Sequence, residues 1–137
     1  MYNSGVAPAL PFIALDSGHP RLAGVRCRTC DTRFAGGRLA CARCGGRDFD
    51  AVTLAERGTV RQFTVVHRSF PGVRTPFVAA VVEMADGVAF QGTVEGVRPD
   101  PADIPFGLPV RIDYREVAGD AGQTFVSYVF VPDREAA

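Results

Sequence analysis

From Gly58 onward, apolar positions come in short runs punctuated by glycine and proline, and no stretch keeps a 3.6-residue apolar period for more than two turns. The last two thirds of the chain therefore read as mainly β. Residues 59–68 are rich in β-branched side chains, and residues 77–84 are almost continuously apolar, the pattern of a strand covered on both faces. Pro71 and Gly72 turn the chain between them. Val88, Phe90, Gly92 and Val94 alternate with Ala89, Gln91, Thr93 and Glu95, and Val110, Ile112 and Tyr114 alternate with Arg111, Asp113 and Arg115. Both runs predict half-buried strands. A fifth run, 123–131, follows the Ala118-Gly-Asp-Ala-Gly122 turn. Five strands of this length suit a small closed barrel. The 96–107 connection carries Pro99, Pro101 and Pro105, which leave room for one helical turn at most.

Ahead of the barrel this pattern gives way to a segment poor in apolar side chains that holds all four cysteines, as Cys27-Arg-Thr-Cys30 and Cys41-Ala-Arg-Cys44. Two C-x-x-C pairs on the arms of a short hairpin suit a tetrahedral four-thiolate site, with Cys27, Cys30, Cys41 and Cys44 as ligands. Gly45 and Gly46 allow the positive φ that such a turn uses, whereas Asp31 stands at the equivalent place after Cys30. Two disulfides are the competing arrangement, disfavoured by the paired spacing and a reducing compartment. Zinc suits the site, and iron on four thiolates is the competing metal. Four cysteines fill the tetrahedron and leave no open position, so the predicted Zn²⁺ is structural.

At 137 residues the chain is bounded to one domain, or one with an appendage. The boundaries read as a lead over 1–18, a ribbon over 19–54, a barrel over 55–132 and a tail over 133–137. The junction at 51–57 is apolar and charged, not Gly/Ser-rich, which predicts two modules packed together. No apolar run is long enough to cross a bilayer, and residues 1–17 carry no Arg or Lys to open a signal peptide. The expected location is the cytoplasm.

Charge adds one asymmetry. All fifteen basic residues are Arg, which excludes Schiff-base chemistry on lysine. Residues 19–50 hold seven Arg against three Asp, a formal +4, whereas residues 51–137 come to −3. A divalent metal on four thiolates adds −2 to the ribbon. Its arginines either balance that charge or form a patch for phosphate or nucleic acid.

A four-cysteine ribbon followed in order by Glu56-Arg-Gly-Thr-Val60, Phe63-Thr-Val-Val-His-Arg68, the Pro71-Gly72 turn, Pro76-Phe-Val78 and Gly107-Leu-Pro-Val110 resembles the DUF35 family of zinc-ribbon OB-fold proteins. The resemblance covers roughly residues 19 to 132. It implies a rubredoxin-like ribbon on a five-stranded OB barrel. It also implies a noncatalytic accessory subunit of thiolase-superfamily enzymes that condense, transfer or cleave acyl-CoA or steroid-CoA thioesters. In that role the chain would hold a hetero-oligomer together and help form the acyl-CoA channel. A MaoC-type hydratase domain is a further implied partner.

The remaining candidate chemistry sits at the end of the first barrel strand. His67, Arg68, Ser69 and Phe70 lead into the Pro-Gly turn, and Arg74 follows it. Planar guanidinium groups suit the phosphates of coenzyme A, so these five residues are the candidate CoA or partner contacts. No serine has a G-x-S-x-G setting, and without lysine no Walker-type phosphate loop is possible. The alternative function is single-stranded nucleic-acid binding on Phe63, Phe70, Phe77 and Phe90. Barrel packing is expected to claim at least three of those four rings.

Overall fold

A computed structural model of the chain describes residues 6–135. Strand dominates, as the sequence predicts. Two compact units emerge: one combines the chain up to Ala55 with Asp86–Val88 and Tyr114–Ser127, and the other holds the rest.

In the first unit, β1 (Val6–Pro8) and β2 (Ile13–Ala14) precede β3 (Arg21–Cys27), β4 (Arg33–Ala35) and β5 (Phe49–Thr53). The central strand is β3, which pairs antiparallel with β2 (Ile13 opposite Leu22), with β4 (Val25 opposite Phe34) and with β5 (Val25 opposite Ala51). Ile13, Leu22 and Leu54 are fully enclosed, and the Leu54 N–H donates to the Leu22 carbonyl at 2.8 Å. Gly24 is required at its place. A Cβ there would lie 2.3 Å from the Phe34 carbonyl oxygen and 2.7 Å from a Leu54 methyl. The two short strands before residue 18 have no alternating run to betray them; β1 is recruited by parallel pairing with residues 124–126.

The second unit holds β6 (Arg57–Val66), β7 (Phe77–Met84), β8 (Ala89–Val94), the start of β9 (Pro109–Ala118) up to Asp113 and the end of β10 (Thr124–Pro132) from Tyr128. β7 pairs with β6 and β8, β8 meets β10 in parallel at Val94 and Phe130, β10 pairs with β9, and β9 returns to β6 at Arg57 opposite Arg111. Five strands thus close into a barrel. Its interior is Val60, Val78, Val82, Met84, Phe90, Val94, Val110, Ile112, Tyr128 and Phe130, all buried. Gly92 leaves room for the large rings: a Cβ there would come within 2.8 Å of Phe130 and 3.0 Å of Tyr128. The 96–107 connection contains one 3₁₀ turn, Pro101–Asp103, capped by the Asp100 side chain accepting from the Ala102 N–H.

Two expectations require correction. β7 is not covered on both faces: Val78, Ala80, Val82 and Met84 are buried, but Phe77, Ala79 and Val81 remain half-exposed. A closed barrel covers only the inward face, and the outward side chains are merely apolar. The four phenylalanines do not mostly fill the core either. Phe90 is buried, Phe63 and Phe77 are half-buried, and Phe70 is 82% exposed on the β6–β7 loop. A bulge between Val60 and Gln62 resets the phase of β6, so the pattern in 59–68 could not fix which way Phe63 points.

Candidate metal centre and interaction loop

The first knuckle begins where β3 ends. The Asp31 N–H donates back to the Cys27 carbonyl at 2.9 Å, and the Gly45 N–H does the same to Cys41 at 2.9 Å, so both C-x-x-C turns close alike. Asp31 takes φ +65° and Gly45 φ +79° at these matching positions. Gly46 stays outside the positive-φ set, and its N–H instead points at the Cys44 sulfur at 3.4 Å, as the Arg43 N–H points at Cys41.

These turns bring all four cysteines together. Their Sγ atoms lie within 4.8 Å of one another, with Cys27 to Cys44 and Cys30 to Cys41 at 3.6 Å, and all four are free thiols. Ligands about 2.3 Å from a central ion at tetrahedral angles stand about 3.8 Å apart, so the donors fit a single metal ion with no protein position left open. Cys27 and Cys41 are buried, whereas Cys44 is exposed.

The sulfurs are not equivalent. Hydrogen bonding from the Thr32 side chain, then from its N–H, draws Cys30 down to about 6. The Cys30 N–H, against the opposing effect of burial, lowers Cys27. Cys44 is pushed up to about 12: the Gly46 N–H favours its thiolate, but the neighbouring sulfurs of Cys27 and Cys30 outweigh it.

Around the knuckles, Arg26 pairs with Asp31 and lies 2.9 Å from Asp50, whose other oxygen meets Arg28 at 2.8 Å. Arg28, with Arg26 behind it, holds the Asp50 carboxyl below the usual range. Arg21 pairs with Asp16 at 3.1 Å. The other four ribbon arginines pair with no described carboxylate.

In the barrel, His67, Arg68, Ser69, Phe70 and Arg74 all fall on the β6–β7 loop and all are exposed. The Val73 N–H donates to the Phe70 carbonyl at 3.1 Å, and Gly72 at φ +88° completes the turn. No described carboxylate pairs with Arg68 or Arg74. Arg74 borders a cavity of about 700 Å³ with an apolar wall of Val73, Pro76, Phe77, Val97 and Pro99. The sequence does not mark Val97 and Pro99 as cavity-lining, because a Pro-rich connection signals a loop but not what it faces. A second, shallow cavity of about 480 Å³ crosses the outside of β6, β7 and β8 over Gln62, Thr64, Ala79, Val81, Gln91 and Thr93, with Phe63 its one ring and no cation. Among the described residues no helix is long and apolar enough to cross a membrane.

The comparisons with known proteins agree with this fold. Residues 51–115 match the family model described as ChsH2, C-terminal OB-fold domain. The chain is 30% identical over 117 residues to a DUF35 domain-containing scaffold protein of Methanocaldococcus jannaschii, covering 81% of each. It is 44% identical over 64 residues to the 3-oxo-4,17-pregnadiene-20-carboxyl-CoA hydratase alpha subunit of Mycobacterium tuberculosis, covering 46% of this chain but 20% of that protein. To the benzoylsuccinyl-CoA thiolase subunit BbsA of Geobacter metallireducens it is 28% identical, over 65% of this chain and 60% of the relative. Among solved structures, a chain of the Ltp2-ChsH2(DUF35) aldolase superposes with a TM-score of 0.64 at 32% identity, covering 82% of this chain and 84% of that one.

Proposed function

Because the chain belongs to the DUF35 domain-containing scaffold proteins, we propose that it is the accessory subunit of a thiolase-like enzyme acting on acyl-CoA thioesters, contributing structure and no catalytic group of its own. The reaction would be condensation, acyl transfer or retro-aldol cleavage of a steroid-CoA side chain. Similarity to a thiolase subunit and to a chain of an aldolase supports this class. The similarity to a hydratase alpha subunit supports a MaoC-type hydratase domain as a further associate.

The observation that carries the reading is the β6–β7 loop. It offers Phe70 at 82% exposure, with Arg68 and Arg74 on the same loop and paired with no described carboxylate, and Arg74 borders a cavity of mixed lining that Glu95 shares. An exposed ring of this size is a natural anchor in a partner's pocket. The two arginines would meet the CoA phosphates at the joint between subunits, with His67 and Ser69 on the same rim.

Zn²⁺ fits the four-thiolate centre, with Cys27, Cys30, Cys41 and Cys44 as its ligands. Bound there, it supplies folding energy, since every coordination position is taken by sulfur. Four free thiols suit a reducing, cytoplasmic setting. Nucleic acid is the weaker reading: the shallow cavity on the outside of β6, β7 and β8 is lined by one half-buried ring and no arginine, where a single-strand platform needs several rings and a basic groove.

The test is a tagged pull-down with intact-complex mass spectrometry, followed by assay of the partner with and without this chain. A thiolase-sized subunit in fixed ratio, inactive or insoluble alone, is expected. A partner fully active without the chain overturns the proposal.

A further inference from the structure

The ribbon sheet buries one face and leaves the other open. Leu22 and Gly24 point to the closed side with Leu54. On the opposite side, the register sets Val25 between Phe34 and Ala51, and Cys27 beside Phe49. Val25, Phe34 and Phe49 are only half-buried, and Ala51 is exposed. The Phe34 and Phe49 rings meet edge to face, 6.5 Å apart at 77°. Over Phe34 lies the Arg38 guanidinium, 4.8 Å from the ring centroid, and the next residue, Leu39, is 94% exposed.

Charge says what this face is for. Arg21, Arg26 and Arg28 are engaged by Asp16, Asp31 and Asp50, whereas Arg33, Arg38, Arg43 and Arg47 have no described carboxylate; of these four Arg38 lies on this face, while Arg33, opposite Arg26, belongs to the other side of the sheet. Neutralising the thiolates does not account for Arg38, whose guanidinium rests on Phe34. Nor does the set resemble a base-stacking platform, because Arg38 covers one face of Phe34 and an edge contact to Phe49 occupies the ring further. A half-buried aliphatic and aromatic centre with arginine at its border matches the composition of protein interfaces.

We propose that this face of the ribbon docks on a carboxylate-bearing surface of the thiolase-like partner, with Leu39 and the Phe34–Arg38 stack at the centre of contact and the Arg38 guanidinium meeting a partner carboxylate. It rests on the accessory-subunit reading and adds a second point of attachment, apart from the β6–β7 loop. A metal held by the four cysteines would then have a task beyond the ribbon's own folding: it would hold the strand pairing that presents Phe34, Val25 and Ala51 side by side.

The test measures binding of the full-length, metal-loaded chain to the purified thiolase-family subunit found in the pull-down. Raising salt from about 50 to about 300 mM should weaken the wild type about tenfold. Arg38→Glu should lose about tenfold at low salt and flatten the salt dependence. Ala51→Glu, at an exposed position that is neither a cysteine ligand nor a member of an ion pair, should lose binding comparably, and both variants should retain one metal per chain. Wild-type affinity in both metal-loaded variants overturns the docking face. So does an outcome in which a short single-stranded oligonucleotide binds and is lost in Arg38→Glu while partner binding is unchanged. Failure of the wild-type chain to bind the thiolase-family subunit at all overturns the accessory-subunit reading instead, and the docking face with it.

Discussion

Asp31 and Gly45 occupy the same step of two successive C-x-x-C turns, and both take the left-handed conformation, at φ +65° and +79°. A side chain is tolerated at the first position and absent from the second. Asp31 keeps its place because aspartate enters this region more readily than most residues and because its carboxylate reaches Arg26. Gly45→Val should therefore destabilise the metal-loaded ribbon by about 1–2 kcal/mol, the cost of a β-branched residue at positive φ. Asp31→Asn should remain within about 0.5 kcal/mol of wild type, since asparagine shares the backbone tolerance and an exposed ion pair contributes little. Chelator competition on both variants checks the contrast.

Much of this was legible in the sequence, and for a consistent reason. The four-cysteine cluster rests on local spacing, so Cys27, Cys30, Cys41 and Cys44 could be grouped from the sequence, and the odd position of Asp31 could be noted there too. The barrel strands showed through period-two alternation, clearest in Phe90, Gly92 and Val94. What stayed hidden depended on distant partners. β1 exists through pairing with β10, the bulge after Val60 is set by β7, and the burial of Phe63 follows from that bulge. The stack of Arg38 on Phe34 was likewise unreadable, because two glycines at 36 and 37 leave the direction of the returning chain open.

Removing the metal should unfold the ribbon. Outside the enclosed Ile13, Leu22 and Leu54, few apolar side chains hold the 27–46 segment, and its backbone hydrogen bonds close around the knuckles. Amide exchange after complete chelation should show lost protection across 27–46 and retained protection in β6, β7 and β8. Unchanged exchange in the knuckles would show that the sulfur cluster is ornamental to folding.

Asp50 gives the ribbon a pH signature with a definite sign. Its carboxyl is held below the ordinary range by Arg28 and Arg26, so its contribution is fully present above the unfolded value of about 3.9 and disappears as pH falls through the lower folded value. Asp50→Asn removes that contribution. The gap in thermal midpoint between wild type and variant should stay constant from about pH 8 to about pH 5, then narrow below about pH 4. Metal loss in acid affects both proteins and largely cancels in the difference. A gap that widens on acidification contradicts the assignment of Arg28 and Arg26 as the cause.

The two ends of the burial scale in the barrel separate folding from docking. Phe130 is fully enclosed, packed edge to face on Tyr128 at 5.5 Å, so Phe130→Ala should cost about 3–5 kcal/mol through lost burial and an unfilled cavity. Phe70, at 82% exposure, rests on nothing comparable, and Phe70→Ala should leave stability within about 0.5 kcal/mol. Binding should invert the order. If Phe70 anchors the β6–β7 loop in the thiolase-like partner, its truncation should weaken the complex by about 2 kcal/mol or more, close to thirtyfold in affinity. Urea unfolding and partner titration on the same protein decide between the two roles. A Phe70→Ala chain as stable as wild type and equally tight in the complex would make this exposed ring an ordinary surface residue and move the search for the barrel's anchor to the outer face around Val81.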